Sequence, residues 1–422
     1  MKKIIITLIL LVFSIIIFSA EKIHYPLIGV HGLNSNGYIW RNGFFNELKK
    51  SYIFEGYFSP SLYSELNNPE KSGIEDFANA LKNNHIKSLN KPPILIAHSM
   101  GGLISRQYAL NSNKLKGIIT IGTPHRGANI SDKKDWIVFL GLLDAAFCTP
   151  LLMDKYPETQ WLKNTVAATI GIIATTFLVI ALMNLLHLKS VTITFNNPSI
   201  FVNYATEIIA GAGILVFLVA SAYIATLNTS PHMKQMNPGS AFLKQLNSKK
   251  LPEYDTNNKK IFYASIYGER NDVFTLIDEL QPGISGKVKT GANTVSITYA
   301  GVGAYHISRS ITRWFFGIPI IDWYRIVVGS AYLASAASIN EIGLRLLYEK
   351  IVENSSRGDA VVPLDSQIFP RDVVPKDAIY LKPERAPRDN HLTEITPNSD
   401  SLYKTIIIFD KLRLRHYNDV FK

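Results

Sequence analysis

The sequence predicts an α/β protein: a mostly parallel central sheet covered by helices and interrupted by two large, mainly helical insertions. Three observations carry that expectation. Short charge-free runs recur along the 422 residues and are separated by segments of helical spacing, the alternation of a parallel, doubly covered sheet. One such run, Ile94 to Ala97, leads through His98-Ser99-Met100 into Gly101-Gly102 and a helical stretch from Leu103 to Leu110. The alternation then stops after Ala128, resumes near Lys260, and stops again between Gln281 and Glu353.

At the start, Met1-Lys2-Lys3, apolar Ile4 to Phe18 and Ser19-Ala20 read as an export signal over 1–20,. Cleavage after Ala20 would put Phe18 at a position that prefers small side chains, so an uncleaved N-terminal anchor is the alternative. Ile23 to Val30 reads as a buried strand running into His31-Gly32-Leu33-Asn34-Ser35-Asn36-Gly37. Trp40 to Lys50 reads as helix, Ile53 to Phe58 as strand, and Ile74 to Leu89 as a helix ended by Pro92-Pro93,. Lys114 to Gly122 is the next buried strand, followed by Thr123-Pro124-His125-Arg126-Gly127-Ala128. Residues 22–128 form the first part of the expected core.

Buried strand, sharp turn and helix around Ser99 are the context of a nucleophile elbow. Ala97 and Gly101 stand two residues either side of the serine, where a bulky side chain would not fit. An ordinary strand-to-helix connection is the plainer reading. If Ser99 is a nucleophile, the amides of Met100 and of Leu33, in the glycine-bearing first loop, are candidate oxyanion donors. His98 and His125 are expected to hydrogen-bond near the elbow and support its shape, and His31 is given no part in the chemistry.

The first insertion, 129–259, holds two charge-free runs, Thr165 to Leu186 and Ile208 to Leu227. Each is long enough to cross a bilayer. They read as a membrane-embedded hairpin, or as an apolar lid pair that only touches lipid. Residues 260–280 return to the core with the strand Lys260 to Gly268. The second insertion, 281–354, carries Trp314-Phe315-Phe316, Trp323-Tyr324-Arg325 and apolar Ile326 to Ile339, which suit a membrane interface or a domain core equally. Residues 355–422 complete the core, with strands expected at Asp377 to Leu381 and Thr405 to Phe409.

The motifs in order are V-H-G-L at 30–33, A-H-S-M-G-G at 97–102, G-T-P-H-R-G at 122–127, G-D-A-V-V-P at 358–363 and D-N-H-L at 389–392. Together they resemble the α/β-hydrolase fold and, within it, the bacterial lipase and esterase branch. They are also similar to membrane-bound acyl hydrolases that act on lipid anchors. The resemblance implies a serine nucleophile, a carboxylate and a histidine in that chain order. Ser99, Asp359 and His391 fill those places, with Asp272 as the competing acid and His416 poorly placed. Ala360 stands where the resembling enzymes have glycine. Some of those lipases bind calcium through an aspartate two residues after the histidine; Thr393 is there instead, so no metal is expected, and no cofactor is implied.

Apolar residues make up 47% of the chain and charged residues 18%, with a net charge of +11. That balance suits an anionic lipid surface, and the scattered lysines lack a nucleic-acid motif. The lone Cys148 excludes an internal disulfide,. The expectation is an exported, membrane-associated serine hydrolase of lipid esters. Acyl transfer, amide or thioester cleavage by the same triad, or an inactive hydrolase-like scaffold, are the alternatives.

Overall fold

The computed structural model describes residues 21–33, 35–129, 230–271, 284–315, 318–321, 323–348 and 357–414. The expected signal at 1–20, the apolar runs at 165–186 and 208–227, Asp272 and His416 lie outside the described residues. In chain order the elements that position the site are β1 (Glu21–Ile23), β2 (Leu27–Val30), β3 (Tyr52–Phe54), β4 (Tyr57–Phe58), α1 (Ile74–Ala80), β5 (Ile94–His98), α2 (Met100–Leu110), β6 (Gly117–Ile121), α3 (Ala241–Ser248) and β7 (Phe262–Gly268). After them come α4 (Ile284–Ser308), β8 (Ile311–Phe315), β9 (Ile318–Ile321), α5 (Trp323–Ile339), α6 (Glu341–Tyr348), β10 (Ile379–Tyr380), β11 (Glu384–Ala386) and α7 (Asp400–Leu414).

The described residues fall into two compact units, one of 21–129, 230–271 and 357–414, the other of 284–348. The first contains a seven-stranded sheet of order β10-β7-β6-β5-β2-β4, with β11 also beside β7. Each of its six strand pairs is parallel. Strands β2, β5 and β6 are buried along their whole length, the burial on both faces that a charge-free run in a parallel sheet signals. Side chains alternate between two layers. Ile28, Leu95, Ala97, Ile118 and Tyr263 face the cluster that includes Phe77, Leu103, Ile104 and Leu243 from α1, α2 and α3. Leu27, Ile94, Ile96, Ile119 and Phe262 face Trp40, Phe45, Ile408 and Leu412 on the other side. Each such fully buried aliphatic side chain contributes about 1.5–3 kcal/mol.

The expected strand at Ile23 to Val30 is two strands in different sheets: β1 pairs with β3, and β2 with β4 and β5. Pro26 lies at the break; it has no N–H to give a ladder, and its carbonyl accepts the Ile94 N–H at 2.8 Å. Ile53 to Phe58 divides in the same way, into β3 and β4. Thr405 to Phe409 is not a closing strand but part of α7. Leu402, Thr405, Ile408, Phe409 and Leu412 are buried at helical spacing. The Asp389 carboxylate accepts the Asp400 and Ser401 N–H groups at the helix start. Cap and packing together override the weak helix preference of three successive isoleucines.

In the second unit, α4 and α5 share a small core of Tyr299, Val328, Tyr332, Ala336 and Ile339. Tyr299 and Tyr332 meet edge-on at 5.1 Å, and the Ser296 hydroxyl donates to the Ala336 carbonyl at 2.8 Å. Strands β8 and β9 form an antiparallel hairpin between the helices. Ile297, Val327 and Ile342 are exposed. No helix among the described residues is long and apolar enough to cross a membrane.

Candidate active site

The strand register places the C-terminal ends of the central strands together, with Val30 beside Ala97, His98 beside Ile121, and Ile121 beside Ile266. Loops leaving that edge are where parallel α/β sheets bind ligands. Ser99 occupies one of these turns, at φ 54° and ψ −128°, in the left-handed half of backbone space that a non-glycine residue adopts only under strain. Its N–H donates to the Ile121 carbonyl at 2.9 Å, and its own carbonyl accepts the Gly102 N–H at 3.0 Å, so the turn is held from both sides. Gly101 is required by close approach: a Cβ there would come 2.4 Å from the Val30 carbonyl oxygen.

Ser99 precedes the first residue of α2. The Met100 amide is therefore at the helix N-terminus, where N–H groups have no intrahelical acceptor and the helix dipole is positive. The first loop runs directly over the elbow: a Cβ on Gly32 would meet the Ser99 Cβ at 2.8 Å. Leu33 follows Gly32 and is partly buried against the α2 layer.

His391 arrives on the loop between β11 and α7. Its Nε2 is 2.9 Å from Ser99 Oγ, and its Nδ1 is 2.8 Å from Asp359 Oδ2. All three residues are buried, Asp359 completely. The other Asp359 oxygen accepts the Val361 and Val362 N–H groups at 2.9 and 2.7 Å. The His391 N–H donates to the Asp359 carbonyl at 2.9 Å, so the acid and histidine loops are tied by backbone as well as side chain. Ser99, His391 and Asp359, separated by up to 292 positions in the chain, thus meet in one hydrogen-bonded line.

Ala360, where the sequence has alanine instead of glycine, lies at φ 72° and is fully buried. A Cβ in that region costs about 1–2 kcal/mol, of which glycine's freedom in the unfolded chain returns part. Ala360→Gly should therefore stabilise the protein by about 0.5–1 kcal/mol. The urea unfolding midpoint reads this; a lower midpoint would show that the methyl contributes more through packing than it strains the turn.

Three histidines near the elbow act as neutral hydrogen-bonding groups. His98 Nε2–H donates to the His391 carbonyl at 2.9 Å, and the two rings lie 4.8 Å apart. His125 accepts from Arg106 of α2 at 3.2 Å and donates to the Thr120 hydroxyl at 3.1 Å. His31 Nε2 accepts the Leu62 N–H at 3.0 Å. Burial holds all three below the ordinary imidazole range, His98 and His125 well below it.

Sequence reasoning gave no task to Glu394, which the structure brings to the back of the same line. Its Oε2 lies 3.3 Å from His98 Nε2 and 3.8 Å from His391 Nδ1. Burial first, then Asp359 and Asp389, raises its carboxyl well above the usual range. A carboxyl three residues after the candidate histidine was the available signal. His98, His391 and Glu394 offer ligand atoms within 4.8 Å of one another. A cation there would have to displace the contacts of His391 with Asp359 and of His98 with the His391 carbonyl.

These shifts set an acid sensitivity. In the folded state the three imidazoles stay neutral while their unfolded counterparts take up protons below about pH 6.5, so stability is lost as pH falls. Glu394, whose carboxyl burial raises, runs the other way, but three groups outweigh one. The urea midpoint should fall between about pH 6.5 and pH 5.5; a rise would contradict the neutral assignment of the histidines.

A family model described as the alpha/beta hydrolase fold matches residues 25–210. No curated protein matches the chain. Among solved structures, the lipase BlEst2 of Bacillus licheniformis in mature form is 14% identical, covering 92% of this chain and 91% of its own, at a TM-score of 0.36. An extracellular alpha/beta-hydrolase from a Paenibacillus species is 14% identical over 57% of this chain and 77% of its own, at 0.26. A mutant epoxide hydrolase from Bacillus megaterium is 11% identical over 60% and 78%, at 0.25. Scores this low bear on neither substrate nor the role of any residue. The family model, the parallel sheet and the strained serine turn between β5 and α2 agree: the chain has the α/β-hydrolase fold.

Proposed function

We propose that this hydrolase cleaves carboxylic esters, lipid esters in particular, through an acyl-serine intermediate. The observation that carries the reading is the unbroken line from Ser99 Oγ through His391 to Asp359, at 2.9 and 2.8 Å. In this mechanism His391 takes the Ser99 proton as the hydroxyl attacks the ester carbonyl, then gives it to the leaving alcohol. Asp359 receives the Nδ1–H, which fixes the tautomer and balances the imidazolium as it forms. The Met100 and Leu33 amides are the donors for the developing oxyanion. The reaction itself requires no cofactor.

The lipid preference, export and membrane association rest on chemistry along the chain: the apolar segment at 4–18, the two charge-free runs, and the net charge of +11. Exposed Ile297, Val327 and Ile342 in the second unit add apolar surface suited to lipid. Purified protein should release nitrophenol from p-nitrophenyl butyrate and far less nitroaniline from the matching anilide. Absence of ester turnover would sink the reading, and faster anilide cleavage would move it to amide hydrolysis. Co-sedimentation with phosphatidylcholine–phosphatidylglycerol vesicles tests the lipid half; protein left in the supernatant would contradict it.

A further inference from the structure

Beside the Ser99–His391–Asp359 line lies a second carboxyl, fully buried, that the mechanism above does not use. Glu394 Oε1 accepts the Gly268 N–H at 3.1 Å, and a Cβ on Gly268 would come 2.7 Å from that oxygen and 3.0 Å from the Asp359 Cβ, so the two acidic side chains lie against the same point. Two carboxyl groups can hydrogen-bond each other only if one of them holds a proton. Asp359 already accepts three N–H donors, from Val361 and Val362 at one oxygen and from His391 at the other. Glu394 has a single amide donor, at Oε1, and its buried Oε2 meets no N–H or hydroxyl donor.

The surroundings assign the proton to the same carboxyl. Titratable groups facing Glu394 are His98 from β5, Asp359 from the acid loop, and Asp389 and His391 from its own loop. Two of these are acids, and burial keeps His98 neutral. The ends of β6 and β7 present only backbone. Gly122, at φ +55°, leaves so little space that a Cβ there would come 2.0 Å from Glu394 Oε2. An ionised carboxylate would thus be fully buried without a formal cation held against it, which is costly.

We propose that Glu394 is a positioning residue for the relay: its O–H donates to Asp359 and holds the Asp359 carboxylate in the orientation that receives the His391 Nδ1–H. This rests on the triad reading of Ser99, His391 and Asp359. The pair then carries one shared negative charge, not two, behind the imidazolium formed during attack.

Two variants and one spectrum test it. Glu394→Gln keeps an N–H donor toward Asp359 and an oxygen for the Gly268 amide. Its kcat should stay within about twofold of wild type, with the acid limb of the kcat/KM–pH profile in place. Glu394→Leu keeps the bulk and removes the donor; kcat should fall by up to about 100-fold with KM little changed. Infrared spectra at neutral pH should show a protonated-carboxyl carbonyl band in wild type that Glu394→Gln lacks.

An acid limb displaced by about a pH unit in Glu394→Gln, or no such band, would mean Glu394 is ionised and overturn the proposal. Equal losses in Gln and Leu, or a fully active Leu variant, would overturn it too. Should the Leu variant not fold, the Gln profile and the infrared band decide. Wild type that fails to label with a fluorophosphonate at Ser99 counts against the triad itself. A labelled wild type with these contrary results counts only against Glu394.

Discussion

Replacing Ser99 with alanine should lower kcat on p-nitrophenyl butyrate about 10⁶-fold while leaving the fold intact. The hydroxyl is the only group removed, and it is the atom that lies 2.9 Å from His391 Nε2. Alanine keeps the Cβ, so the φ of 54° at the elbow is no more strained than before. The Ile121 and Gly102 backbone hydrogen bonds that pin the turn do not involve the side chain. Stability should accordingly change by less than about 1 kcal/mol, and circular dichroism and the urea midpoint check that the loss is chemical. Substantial ester turnover in a folded Ser99→Ala protein would remove the serine from the mechanism.

The second large effect is expected at Asp359. In Asp359→Asn the amide oxygen can still accept the Val361 and Val362 N–H groups, so the acid loop should keep its shape. The amide nitrogen then faces His391 Nδ1, and both atoms would be donors. The imidazole can relieve that only by moving its proton to Nε2, which leaves it unable to accept the Ser99 proton. A loss of about 10⁴-fold in kcat follows. Asp272→Asn, in contrast, should retain nearly full activity, because Asp359 stands 2.8 Å from the imidazole. Initial rates of the two variants, measured side by side, check this. The reverse ranking would transfer the acid role to Asp272.

What could be read from the chain beforehand follows from how local each signal is. Strand β5 and the turn after it were legible because a charge-free run, Ala97, the serine and Gly101 are contiguous. The same steric demand that selects small residues there is visible in the 2.4 Å at which a Cβ on Gly101 would meet the Val30 carbonyl oxygen. Strand β11 was not legible. Glu384-Arg385-Ala386 has no apolar pattern and is a strand only because β7 offers it a ladder. The breaks at Pro26 and between Phe54 and Tyr57 were missed because apolar content alone does not reveal a change of sheet. Helix α7 was misread because its three isoleucines resemble a strand locally, while its cap comes from Asp389, eleven residues before Asp400. Asp359 and His391 were named as candidates through chain order and resemblance, since nothing in either loop's composition requires the two to meet. Glu394 went unassigned for the same reason: its partners at Gly268 and His98 lie 126 and 296 positions away.

The central claim is that Ser99 is an activated nucleophile. Its most direct test is fluorophosphonate labelling of detergent-solubilised wild-type protein, followed by peptide mass mapping. A single stoichiometric adduct on Ser99, strongly slowed in Asp359→Asn and absent from Ser99→Ala, is the predicted result. A folded wild-type protein that stays unlabelled across a detergent titration, or an adduct on another residue, would contradict it.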